Sequence, residues 1–180
     1  MKSSGSERKR KGQRCLIVDG YNVVARKSGT SLTKIPDLES ARRDLEDLLS
    51  QYRAMYDEDV IVVYDAHHRP GLGVSERRAG IDIVFTDAGE TADARIERLV
   101  YDIRDNYRNI TVATSDAAEQ QVSFGGGALR ISAGELLRRL ESMQRLVRQQ
   151  TGQTHDKKKS RLGDSIRDDI AKALEKWRRK

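Results

Sequence analysis

Four runs carry carboxylates in a pattern that could do chemistry: Val18-Asp19-Gly20-Tyr21-Asn22, Tyr64-Asp65-Ala66-His67, Gly89-Glu90-Thr91-Ala92-Asp93 and Ala113-Thr114-Ser115-Asp116. Each sets an acid just past an apolar, strand-like stretch or at the start of a helix. In an open parallel sheet the residues just beyond the carboxyl ends of the strands share one crevice, so acids distant in sequence meet in space. Gathered carboxylates repel one another, and a bound cation is what holds them together in their charged form. Oxygen donors alone suit Mg2+ or Mn2+. No Cys or His spacing resembles a zinc site. A cation held this way activates water toward a phosphodiester, so the set reads as the site of a metal-dependent nuclease.

Within that set each acid has a plainer use as well. Asp19 ends the first apolar run, Gly20 permits a close turn, and Asn22 can orient a water, a metal ligand or the Asp19 carboxylate; alone, Asp-Gly is an ordinary turn. Asp93 stands in the first turn of a helix with Glu90 three residues before it and Glu97 four after. Acids there offset the helix dipole by about 0.3–1 kcal/mol without any function. Asp116 follows Thr114-Ser115, and Glu119 stands about one turn later; Ser115 suits a cap or a water-holding hydroxyl. Asp65 is expected as a wall of the crevice and a supporting residue. The expected catalytic set is therefore Asp19, Asp93, Asp116 and Asn22, supported by Glu97, Glu119, Glu90, Asp65 and Ser115.

Nucleic acid would be gripped by Arg69, Arg77, Arg78 and Arg130, with Tyr21 offered as a stacking surface for a base. His67 and His68 lie in a polar loop and are expected to be exposed. Gly125-Gly126-Gly127 near Arg130 suits a close approach to phosphate or a simple turn, and it lacks the Lys-Ser/Thr of a nucleotide-binding loop. No nucleotide cofactor is expected.

The elements that must position these groups alternate. Residues 15–18, 60–64, 81–85, 110–113 and 128–131 are short apolar runs that predict buried strands. Helices are expected after Pro36-Asp37, from about Thr91, over residues 116–124 and from Ser132, where Glu135 three residues on completes a capping box. Ala66–Gly80 is expected as a long polar loop. The alternation predicts a three-layer α/β/α domain with a mostly parallel sheet of about five strands.

With 180 residues the chain has room for one such domain with tails. Residues 1–14 and 151–180 hold 16 of the 34 Lys/Arg but only 6 of the 28 Asp/Glu, so the net charge of +6 belongs to the ends and the middle is slightly acidic. The expected organisation is a disordered basic arm over 1–13, a catalytic domain over 14–150, and a basic linker with an amphipathic helix over 151–180. Basic ends suit a polyanion, though they also serve solubility. Cys15, the single cysteine, is expected in the core. With the lack of a signal-like or roughly 18–20-residue apolar stretch, this predicts a soluble cytoplasmic protein that enters no membrane.

The four runs, together with Val-Phe-Thr-Asp-Ala-Gly-Glu-Thr-Ala-Asp-Ala-Arg-Ile-Glu at 84–97 and Phe-Gly-Gly-Gly-Ala-Leu-Arg-Ile-Ser-Ala at 124–133, resemble the YacP-like branch of the NYN-domain ribonucleases, relatives of the PIN and FLAP nucleases. The resemblance runs from about Arg14 to about Val147, and both basic ends fall outside it. It implies a PIN-like fold, a divalent metal and endonucleolytic cleavage of single-stranded RNA. In this family the cleavage is of messenger RNA on the translating ribosome, which makes the ribosome an expected partner. Carried over by motif, Asp19, Asp93 and Asp116 bind the metal, with Asn22, Glu97 and Glu119 in support. Two other readings stay open at this point: a non-catalytic RNA- or ribosome-binding module on the same fold, and a DNA structure-specific nuclease using the same acids. The role of the ends has its own test. Deleting residues 1–13 or 151–180 is expected to weaken ribosome binding and flatten its salt dependence; binding unchanged by both deletions would remove the ends from the interaction.

Overall fold

The computed structural model describes residues 14–66, 75–115 and 127–151. Six strands form one sheet: β1 (Arg14–Asp19), β2 (Asp59–Tyr64), β3 (Ser75–Arg78), β4 (Ile81–Phe85), β5 (Asn109–Thr114) and β6 (Leu129–Ser132), in the order β3-β4-β2-β1-β5-β6. All neighbours are parallel except β3 and β4. Four helices accompany them: α1 (Gly20–Ser28), α2 (Leu38–Tyr56), α3 (Ala92–Ile103) and α4 (residues 133–151). Contacts divide the chain into residues 1–140, which hold the whole sheet, and residues 141–180, whose described part continues α4. Among the described residues no helix is long and apolar enough to cross a membrane.

Alternation along the strands builds the layers, because successive side chains point to opposite faces. Cys15, Ile17, Ile61, Val63, Val84, Ile110 and Val112 face one way and pack on Ala92, Ile96 and Val100 of α3. Leu16, Val18, Val60, Val62, Tyr64 and Ile83, buried on the alternate positions, belong to the face that α1 and α2 cover. The three-layer α/β/α expectation is met. Helix starts follow local chemistry. Asp37 accepts the Ser40 N–H at 2.9 Å, Thr91 accepts the Ala94 N–H at 3.2 Å, and Ser132 accepts the Glu135 N–H at 3.0 Å. Each bond satisfies an orphan donor of a first turn.

Two elements depart from the sequence expectation. The stretch Ala66–Gly80 is not all loop, since Ser75–Arg78 forms an antiparallel edge strand on β4, making six strands rather than about five. Its turn, Ala79-Gly80, has φ of 48° and 88°. Such a positive pair matches a tight hairpin to the twist of its strands. Ser50 of α2 donates to the Ala79 carbonyl at 2.6 Å and steadies that turn. The second addition is α1, which begins directly on the last residue of β1. The expected helix over 116–124, and both tails, lie outside the described residues.

That abrupt strand-to-helix turn explains Gly20. A Cβ there would stand 2.7 Å from Cδ1 and Cζ of Tyr64, and closer still to Cε1. Tyr64 is fully buried, with the Tyr21 ring centroid 4.8 Å and the Phe85 centroid 5.7 Å from its own, so the ring has no room to yield. Gly20→Ala is expected to destabilise the fold by about 1–3 kcal/mol through overpacking, read as a lower urea midpoint; an unchanged midpoint would mean that the ring moves aside freely.

Candidate active site

The order of the strands places the crevice. The chain leaves β1 through α1 and α2 to build β2 and β4 on one side, then returns through α3 to build β5 and β6 on the other, so the direction reverses between β1 and β5. Ligands of open α/β sheets bind at such a reversal, beyond the carboxyl ends of the strands. Continuing the alternation past the last apolar residues, Asp19 follows Ile17, Asp65 follows Val63, Thr86 follows Val84 and Thr114 follows Val112, all on the α3 face. A helix that packs back along the sheet after β4 begins at this same edge, which brings Asp93 in the first turn of α3 to the row.

Asp19 is the centre of the group. One carboxylate oxygen accepts the backbone N–H of Asn22 at 3.2 Å and so caps α1. The orienting role expected of Asn22 thus falls to its main chain. Burial is the largest influence on the Asp19 carboxyl and raises its pKa from 3.8 to about 6; the Asn22 hydrogen bond works against this, and the charges of Asp93 and then Asp65 add to it. An acid held charged against its surroundings, amid oxygen donors only, fits a hard divalent cation. Of the acids expected to bind the metal, the described residues include Asp19 and Asp93, with Asp65 beside them as the expected wall. Among the described residues no three His, Cys, Asp or Glu groups close a metal site by themselves. Asp116 and Glu119, the other expected acids, lie outside the described residues, as do Arg69, His67 and His68.

The remaining expected residues divide. Arg130 on β6 stays at the crevice, its Nε donating to Thr114 Oγ1 at 2.9 Å, and Ser115 follows Thr114 there, half-buried. Glu97 is exposed one turn along α3 from Asp93. Glu90 has a structural occupation: it pairs with Arg98 and accepts the Asp87 N–H at 3.2 Å, locking the turn that leads into α3. Tyr21 must be corrected, because its ring is 6% exposed and packed on Tyr64, leaving no face for a base. Arg77 and Arg78 stand apart from the acids of the crevice. In the antiparallel hairpin Arg78 pairs with Ile81, the first residue of β4, at the end of that strand away from the crevice. There it meets Glu46 at 2.8 Å and Asp47 at 3.5 Å, while Arg77 faces Asp82 at 3.8 Å. Sequence reasoning missed Thr86, a buried hydroxyl that accepts the Ala66 N–H at 2.9 Å and fixes the chain just past Asp65. Its place two residues after Val84 is the signal that marks it.

The model of the YacP-like NYN domain matches residues 16–179 of this chain. The chain belongs to the YacP-like NYN family. It is 37% identical over 165 residues to the uncharacterized protein YacP of Bacillus subtilis strain 168, spanning 91% of this chain and 96% of that one. The crystal structure of Rae1 (YacP) from Bacillus subtilis superposes with a TM-score of 0.67 at 36% identity, over 92% of this chain and 94% of that one. A point mutant of the same Bacillus protein gives a TM-score of 0.60 at 39% identity, over 75% and 79%. Membership in the YacP-like NYN family gives the chain a nuclease-like, RNA-related role. The family match also corrects the extent of the resemblance: it continues to residue 179, so the basic C-terminal segment is part of the family pattern and only the N-terminal arm precedes it.

The Asp19 carboxyl has a consequence for stability. A carboxyl whose pKa is higher in the fold than in the open chain binds its proton more tightly when folded, so metal-free stability falls as pH rises from about 4 to about 6 and stays lowered above. Asn at this position keeps a helix cap and removes the charge. Asp19→Asn is expected to stabilise the metal-free protein by about 1–3 kcal/mol at pH 8 and to change little at pH 4. Thermal melts at both pH values check this, and equal stability at pH 8 would overturn the assignment.

Proposed function

We propose that this chain is a divalent-metal-dependent endoribonuclease that cleaves single-stranded RNA, with messenger RNA on the translating ribosome as its target in the cytoplasm. The observation that carries the reading is the approach of Asp19, Asp65 and Asp93 at the carboxyl edge of the sheet, with Asp19 half-buried and under the field of the other two. Family membership directs that acidic crevice toward RNA. Asp19, Asp93 and Asp116 would hold Mg2+ or Mn2+. The cation, when bound, lowers the pKa of water and offsets charge on the phosphate.

The chain's own residues supply the rest. The Asn22 N–H keeps the Asp19 carboxylate in one orientation as its charge is drawn on, since the donor belongs to a helix backbone that has no other geometry. Arg130, steadied by the Thr114 hydroxyl, brings a guanidinium to the crevice whose shape and charge suit a phosphate oxygen. Thr86 holds the backbone at Ala66, so Asp65 keeps its station as a wall of the crevice. Hydrolysis with water in line with the departing 3′ oxygen leaves 5′-phosphate and 3′-hydroxyl ends. The basic ends favour a large polyanion such as the ribosome as the platform on which the message is met.

Purified protein, given a labelled message free and engaged by translating ribosomes, is expected to cut in Mg2+ or Mn2+ and not in EDTA. Asp19→Asn is expected to reduce cleavage by roughly 10²-fold or more while RNA binding persists. Wild-type cutting by the mutant would place catalysis elsewhere. RNA binding without cleavage in every setting would favour a binding module, and faster cutting of a matched DNA strand would redirect the substrate.

A further inference from the structure

Beneath the crevice, on the opposite face of the sheet, lies a buried charge pair that the proposed chemistry does not use. Arg42 and Glu46 stand one turn apart on α2, with side chains 8% and 3% exposed and a closest N···O separation of 3.2 Å. Burying such a pair costs desolvation on both partners, and apolar residues of the same volume often serve stability as well or better. What the pair does here is local. The Arg42 guanidinium lies 5.4 Å from the ring centroids of both Tyr64 and Phe85. A cation is attracted to aromatic faces at this range. Glu46 holds that cation from behind and takes Arg78 of β3 at 2.8 Å on its other oxygen.

The rings so clamped are the last residues of β2 and β4, and each immediately precedes a site residue. Tyr64 precedes Asp65, and Phe85 precedes Thr86. Tyr64 also underlies the turn after Asp19, where only the missing side chain of Gly20 lets helix α1 sit on its ring. The ring therefore supports the ends of β1 and β2 together, and its own height is set from α2.

We propose that the Tyr64 ring and the Arg42–Glu46 pair are positioning residues of the site, acting through the backbone at Gly20 and Asp65 to fix the spacing of Asp19 and Asp65. The placement stands on the packing alone; its effect on cleavage rests on the nuclease reading above. Loosening the clamp without touching the acids shifts the Asp19 turn relative to the wall at Asp65, lowering affinity for a cation that Asp19 helps to hold and slowing the chemical step more than RNA binding.

Three full-length variants test it: Glu46→Gln, which keeps shape and removes the counter-charge; Tyr64→Leu, which thins the support; and Tyr64→Phe, which keeps the ring. Backbone amide spectra of the metal-free proteins are read at Gly20, Asn22 and Asp65, followed by Mn2+ binding and by kcat and KM on RNA. Glu46→Gln and Tyr64→Leu are expected to move all three amide signals, to weaken Mn2+ binding by about tenfold, and to lower kcat with KM unchanged. Tyr64→Phe is expected to return these readouts toward wild type. A folded Glu46→Gln with the three signals at their wild-type positions and Mn2+ binding intact would overturn the proposal, and this isosteric variant decides it even where Tyr64→Leu fails to fold. Should the wild type neither bind Mn2+ nor cut RNA, the nuclease reading falls while the amide signals still judge the clamp.

Discussion

The desolvation of one carboxylate at the end of a central strand, deepened by the charge of its acidic neighbours, is the constraint around which this site is arranged. Asp19 is half-buried at the end of β1 and feels the charges of Asp93 and Asp65, so its ionised form is disfavoured by place and by company. Nothing in the apolar core relieves this. The relief that the described residues supply is a main-chain hydrogen bond from Asn22, and it is outweighed by burial. A fold that keeps such an arrangement gives up stability at neutral pH.

The architecture that creates the strain is also what limits it. β1 is central in the sheet, with β2 and β5 as its parallel neighbours, so the Asp19 turn is flanked by strand ends that cannot drift independently. α3 contributes Asp93 from a first turn pinned by the Thr91 cap and by the Glu90–Arg98 lock before it. On the other face, aromatic rings support the strand ends, and Gly20 admits the closest approach between the two. The acids thus stand on stiff elements, as the proposed cation site would require of the spacing of its oxygens.

Most of this is legible in the sequence where one periodicity dominates. The apolar runs at 15–18, 60–64, 81–85 and 110–113 are strands, and the Asp37, Thr91 and Ser132 caps open helices as their local chemistry requires. The misses share a cause, which is one residue serving two purposes. Asp19 reads as a site acid and is also the cap that starts α1, so the helix behind it is hidden. Tyr21 reads as an exposed aromatic beside a catalytic acid, yet helical periodicity with Val24 turns it inward onto Tyr64. Arg77 and Arg78 suggest a phosphate grip because the Ala79-Gly80 turn lacks the Asn-Gly signature of a hairpin. Once the chain folds back, strand geometry carries them toward the end of β4 away from the site acids. Thr86 escapes notice because a hydroxyl after a strand is ordinary until its partner across the sheet is known.

The same hairpin bears on how the molecule behaves in company. Without β3 the sheet would end at β4, whose Ile81-Asp82-Ile83-Val84-Phe85 is an apolar strand with unpaired peptide groups along one side, the kind of rim that recruits neighbouring chains into extended sheets. β3 covers that rim with only four residues, Ser75-Glu76-Arg77-Arg78, three of them charged. A second molecule approaching from this side meets a short ladder bristling with opposite charges in place of a long greasy one. The charged residues of β3 thereby guard a crowded solution of this protein against zipping edge to edge into fibres.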